Sequence, residues 1–213
     1  MEELDLLKKD WKKAEKFFPT ISEADIYAML HKKSSSIVRW ILIISVLEFV
    51  FFLSLTLFLN GNAGTRRIEN YISPTTMIAM TVVDYLIMAY FFYRFYVNYQ
   101  KISTTDRVQN LMANILKTRK TVSNYIFSKI VYIVCLFIIM CTAFFANDPE
   151  AVDLVQKSEA TGHMGEFYLL LAILVLASLG LLILAFWLFY KLIYGLLLKR
   201  LYKNYQELKK IDF

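Results

Sequence analysis

The sequence predicts an all-α polytopic membrane protein. Four transmembrane helices form two tandem hairpins, related as a parallel repeat, with amphipathic helices on the cytoplasmic side. Three observations lead there. The chain of 213 residues is 58% hydrophobic, above the roughly 45–50% of a soluble domain. The excess is gathered into four long runs, and Lys and Arg collect on alternate sides of those runs.

Residues 1–36 read as a cytoplasmic amphipathic helical tail. Leu4, Leu7, Trp11, Ala14 and Phe18 follow a 3-4-3-4 spacing with charges between them. That narrow apolar seam fits one partner helix or a bilayer surface. Pro19 breaks it. A second helix then begins at Ser22, a candidate N-cap, with Asp25 placed as in a capping box and Ile21 and Ile26 placed as a hydrophobic staple. It is expected to run towards His31 and feed into the first span. With so many polar residues before that span, the start does not read as a cleavable signal peptide.

Residues 37–97 form the first transmembrane hairpin. A span needs about 20 predominantly apolar residues to cross a hydrocarbon core of about 30 Å. Ile37–Leu59 and Met77–Phe95 qualify, despite Glu48 in one and Asp84 in the other. Residues 98–124 are expected as a cytoplasmic loop carrying its own amphipathic helix. Asp106 with Gln109 offers the cap, and Val108, Leu111, Met112, Ile115 and Leu116 make an apolar stripe at helical spacing. Flanked by Arg107, Lys117, Arg119 and Lys120, this helix reads as lying on the membrane face, packed on its own bundle or docking a partner. Residues 125–198 form the second hairpin, with spans Tyr125–Ala146 and Phe167–Tyr190. Residues 199–213 extend the last span as a cytoplasmic helix.

Orientation follows from basic residues. Of 24 Lys and Arg, 21 fall in or beside the tail, the middle loop and the C-terminal segment. The other two loops hold Arg66, Arg67 and Lys157. The positive-inside rule then places both termini and the middle loop in the cytoplasm. With acids counted, the cytoplasmic parts carry +11 and the outer loops −3, which accounts for most of the net charge of +6. A basic balance so distributed implies anionic lipid nearby rather than nucleic acid. Trp40, Tyr90–Tyr96, Tyr125, Trp187, Tyr190 and Tyr194 crowd the cytoplasmic ends of the spans, where amphipathic rings favour the headgroup level.

The hairpins look duplicated. Lys32-Lys33-Ser34-Ser35-Ser36 precedes the first span, and Arg119-Lys120-Thr121-Val122-Ser123 precedes the third, 87 residues later. Arg94, Tyr96, Asn98, Tyr99 and Gln100, where the second span leaves the membrane, recur 106 residues later as Arg200, Tyr202, Asn204, Tyr205 and Gln206. Both copies run inside to outside and back, so the repeat axis lies along the membrane normal.

Chemistry would have to come from the intramembrane acids. Counted from Arg39 and Arg94, Glu48 and Asp84 share a depth of about 13–15 Å from the cytoplasmic boundary. Lys129, the nearest cation, is expected to snorkel away from that level. At least one acid is then expected to be protonated. Two uses follow: a proton or cation site between spans one and two, or acids hydrogen-bonded to Ser45, Thr81 or backbone that hold helices together. Cys135 and Cys141 lie in one apolar run, about 9 Å apart along a helix axis, and read as small apolar residues. His31 and His163 fall on opposite sides of the membrane, neither with a Cys or His at ligand spacing. The residues point to no catalytic set, cofactor or metal.

At Lys8-Lys9-Asp10-Trp11 and Lys32-Lys33-Ser34-Ser35-Ser36-Ile37-Val38-Arg39-Trp40 the chain resembles small uncharacterised four-span inner-membrane proteins of Bacteroidota. Some of these carry the label of carotene-cleaving oxygenases, enzymes that hold iron with four histidines. This chain has two, and the label does not transfer. The expected function is a non-enzymatic interaction or regulatory protein that binds a cytoplasmic partner or a larger membrane complex through its tail and middle-loop helices. The competing expectation is a transport or ion-coupling component using Glu48 and Asp84.

Overall fold

The computed structural model describes residues 22–59, 71–105, 107–160 and 164–211. They form helices α1 (Glu23–Leu59), α2 (Pro74–Ser103), α3 (Val108–Asn147), α4 (Pro149–Ala160) and α5 (Met164–Ile211). Four of them, α1, α2, α3 and α5, are long and apolar enough to cross a membrane.

Two of them begin for a clear local reason. At α1, Asp25 N–H donates to Ser22 Oγ at 3.1 Å and Ser22 N–H donates to Asp25 Oδ2 at 3.2 Å. This is the reciprocal bonding of a capping box, with Asp in the place more often held by Glu. The Ser22 hydroxyl, which donates to Asp25 Oδ2 at 2.7 Å, and after it the Ser22 N–H hold the Asp25 carboxyl below its ordinary range. The staple residue Ile21 lies outside the described residues, as do the tail helix and Asp106. Pro74 starts α2 at a position where its missing N–H costs nothing.

The four long helices pack in a ring in chain order, α1 on α2, α2 on α3, α3 on α5 and α5 on α1, with every neighbour antiparallel. This is an up-down-up-down bundle. Its core is at the basic end. Val38, Ile41, Phe95, Ile102, Leu111, Ile115, Val122, Tyr190, Tyr194, Leu201 and Leu208 are buried there. Along the spans the pattern inverts, and Phe51, Leu57, Phe58, Leu176 and Leu181 face outward. An apolar exterior of this size is stable only against lipid. The chain is a membrane protein.

Two features differ from expectation. The middle loop shrinks to residues 104–107, because α2 runs on to Ser103 and α3 starts at Val108 and continues without a break into the third span. The stripe is therefore not a separate helix on the membrane face. Leu111 and Ile115 are fully buried in the chain's own bundle, with Val108 and Met112 packed against it. Three-point-six periodicity marks an apolar face but not where a helix ends, and no Gly or Pro separates the stripe from the span. As expected, the helix that begins after Ser22 feeds directly into the first span, and the last span continues as helix through Ile211.

The second difference is α4, twelve residues beyond the third span. Asp148 Oδ1 accepts from the backbone N–H of Glu150 and of Ala151, both at 3.0 Å. Pro149 occupies the first turn. Asp-Pro-Glu before a short amphipathic segment is a start signal, although twelve residues are too few for the segment to stand out as a span.

Candidate functional site

The polar side chains inside the bundle divide into two levels. The deeper level holds the acids. Glu48 on α1 is 8% exposed. Its Oε1 accepts from the Tyr190 hydroxyl at 2.7 Å and its Oε2 from the Tyr194 hydroxyl at 3.1 Å, both on α5. Tyr190 and Tyr194 are one turn apart, so their hydroxyls converge on one carboxyl group. The Tyr125 ring, 6.0 Å from each of theirs, packs beside them together with Phe91 and Phe95. Among the described residues, no basic side chain forms an ion pair with Glu48.

Asp84 does have a cation. Lys129 Nζ on α3 lies 2.5 Å from Asp84 Oδ1 on α2, and the two side chains are 5% and 22% exposed respectively. The ammonium also faces the rings of Phe52 and Tyr132 at 5.8 and 5.9 Å. The Tyr132 hydroxyl donates to the carbonyl of Met80 at 3.1 Å, a second tie between the same helices.

This arrangement corrects the expectation for the acids. The stem of Lys129 does not snorkel to the boundary but delivers its charge to Asp84. Nor do the two acids share a site between spans one and two: Glu48 turns to α5 and Asp84 to α3. Ser45 and Thr81 are not their partners either, since each hydroxyl bonds back to its own helix, at Leu42 and Met77. Depth counted from the last basic residue fixed a level along each helix. It did not fix which neighbour each side chain faces.

The shallower level holds buried amides. Asn98 Nδ2 on α2 donates to Thr121 Oγ1 on α3 at 3.0 Å, and Asn204 Nδ2 on α5 donates to Ser34 Oγ on α1 at 3.2 Å. His31 Nε2 lies 2.8 Å from the Ile102 carbonyl oxygen, tying α1 to α2. The remaining members of the repeated motif lie further out. Arg94 approaches the Tyr90 ring, Gln100 bonds the Tyr96 hydroxyl, Tyr99 accepts from Arg39, and Tyr202 stacks on Tyr205 under Arg119. Arg200 and Gln206 are exposed.

Leu4, Leu7, Trp11 and Phe18, the other partner-binding candidates, lie outside the described residues, as does His163. Cys135 and Cys141 are free thiols. Sequence reasoning missed Lys129, Tyr190 and Tyr194 as partners of the acids. The i,i+4 spacing of the tyrosines was a usable signal, because one helical face then presents two donors to one level.

No curated protein and no solved structure matches the chain. A family profile does, over residues 24–213, which include both levels of buried polar side chains. The chain belongs to the family described as Domain of unknown function (DUF8845).

Proposed function

We propose that the chain is a non-enzymatic integral membrane interaction or regulatory protein. It sits in a bacterial inner membrane with both termini in the cytoplasm and presents its tail to a cytoplasmic partner or larger membrane complex. The observation that carries this reading is the use to which its buried polar groups are put. Asp84 with Lys129 joins α2 to α3, Glu48 with Tyr190 and Tyr194 joins α1 to α5, and His31 joins α1 to α2. Arg119, 4.3 Å from the Tyr202 ring, joins α3 to α5. Polar side chains used this way hold membrane helices together, and they make the bundle a rigid platform. With Leu111 and Ile115 buried, the docking role falls to the seam of Leu4, Leu7, Trp11 and Phe18 rather than to the middle-loop stripe.

The test is gentle purification of the full chain and of a chain lacking residues 1–18, with quantitative mass spectrometry of what accompanies each. A protein retained by the first and lost from the second is expected. Identical sets from the two would overturn the reading.

The duplication belongs to the same proposal. Ser34 and Thr121 are equivalent under the 87-residue shift, and Asn98 and Asn204 under the 106-residue shift. The two buried amides therefore bond the hydroxyl of the opposite hairpin in a crossed pattern. Phe95 and Leu201, and likewise Ile102 and Leu208, are buried at the same shift of 106. A two-fold axis along the membrane normal generates such crossed pairs.

One observation favours the transport or ion-coupling reading: Glu48 is buried with hydroxyl donors and, among the described residues, without a cation. Intramembrane acids of that kind occur on proton pathways. Reconstituted protein should then show pH-dependent flux that Glu48→Gln abolishes, and absence of that flux removes this reading.

A further inference from the structure

A cavity of about 340 Å³ lies between α1 and α2, lined by Ser45, Val46, Phe49, Tyr85, Ala89 and Phe92, with Tyr125 of α3 also in its lining. Two further contacts join the same two helices. At the deep end the rings of Phe49 and Tyr85 meet edge-to-face at 5.8 Å. Towards the basic end Arg39 Nη2 donates to the Tyr99 hydroxyl at 3.0 Å, with the guanidinium 5.8 Å from that ring.

Helical register puts cap and cavity on one face. Lys32, Arg39 and Val46 are seven residues apart in turn, as are Tyr85, Phe92 and Tyr99, so each set lies within about 20° per step of one line. Arg39 stands ten residues from Phe49, about 15 Å along the axis. That is the depth of one leaflet of a hydrocarbon core about 30 Å thick. Arg39 and Lys32 are exposed, and neither forms an ion pair among the described residues.

We propose that this groove binds an anionic phospholipid from the leaflet at the basic end of the bundle. One acyl chain fills the cavity between Val46, Phe49, Ala89 and Phe92, and the phosphate is held by Arg39, with Lys32 adding positive charge further out. Two features select this occupant. The lining is apolar and opens between two lipid-facing helices, so the guest is a hydrocarbon chain already in the bilayer. Among the described residues the cations at the mouth have no acid of their own, which favours a negative headgroup. Arg39 suits a phosphate because its planar fork can donate two parallel hydrogen bonds while its face rests on Tyr99.

The test is native mass spectrometry of the full chain, purified in mild detergent. It is offered phosphatidylglycerol and phosphatidylcholine of identical acyl chains in equal amounts. A preference for phosphatidylglycerol of about fivefold is expected from one basic contact at the membrane surface. Arg39→Gln should bring the two lipids level, and Arg39→Lys should keep most of the preference. Ala89→Phe, at an exposed position on the cavity wall, should lower retention of both lipids without lowering the thermal midpoint. Equal retention of the two lipids by the unaltered chain overturns the proposal. So does full retention by Ala89→Phe, or displacement of phosphatidylglycerol by a neutral long-chain quinone. The result does not depend on any protein partner, so it stands or falls apart from the interaction reading.

Discussion

Lys129 of α3 lies 2.5 Å from Asp84 of α2, nearly excluded from solvent, in the apolar part of the bundle. A pair so placed stabilises only while it is complete, because its members cost several kcal/mol each to strip of water and recover that through each other. Removing the lysine leaves an uncompensated acid.

Lys129→Met should therefore destabilise the bundle by about 3–5 kcal/mol. Adding Asp84→Leu should return most of it, since a well-packed apolar pair can replace a buried ion pair at little or no cost. The measurement is reversible unfolding in detergent or bicelles for both single variants and the double. A double variant no more stable than Lys129→Met would show that the pair is not the relevant interaction.

The Glu48 carboxyl should respond unequally to its two donors. Tyr190 is the shorter contact, at 2.7 Å against 3.1 Å for Tyr194, and hydroxyl bonds to oxygen are strongest near the shorter distance. Tyr190→Phe should cost more than Tyr194→Phe, each within about 0.6–1.7 kcal/mol. Both rings stay in place, so packing against Tyr125 is kept and the loss reports the hydroxyl alone. Unfolding of the two variants under one condition decides the order.

How much of this was legible beforehand depends on what each feature rests on. The four spans were legible because apolar composition is a property of each helix alone, and α1's cap because Ser22 and Asp25 are three residues apart. The partners of Glu48 and Asp84 were not. Tyr190 is 142 residues from Glu48 and Lys129 is 45 from Asp84, and which faces meet depends on helix rotation within the ring. The middle-loop stripe shows the same limit from the other side. Val108, Leu111, Met112 and Ile115 announce an apolar face, but only packing reveals that α5 and its neighbours already cover it.

The capping box at α1 gives a pH prediction. Hydrogen bonds from Ser22 lower the Asp25 pKa below its ordinary 3.8. A depressed folded-state pKa means that the stabilising effect is present above the unfolded value and fades as pH falls through the folded one. The first turn of α1 should hold steady at pH 5 and above and fray below about pH 4. Amide exchange at Asp25 and Ile26 follows it. Asp25→Asn should remove the dependence, and fraying that persists unchanged in that variant would rule the carboxyl out.

The crossed amides permit a sharper test of the two-hairpin arrangement than either alone. Asn98 bonds Thr121, and Asn204 bonds Ser34, so double-mutant cycles should find coupling within those pairs and none across them. The expected coupling is about 0.6 kcal/mol, up to about 1.7, for Asn98→Ala with Thr121→Val and for Asn204→Ala with Ser34→Ala. Asn98→Ala with Ser34→Ala should be additive within about 0.3–0.5 kcal/mol. Two equivalent bonds related by one axis should also couple equally, because each joins the second helix of one hairpin to the first helix of the other. Asn204 is fully buried with its Oδ1 unpartnered. Its truncation therefore removes a desolvation cost along with the bond, and the single variant should cost less than Asn98→Ala while the coupling stays the same. Unequal couplings would mean that the two bonds arose separately and that the hairpins share a fold without sharing its contacts.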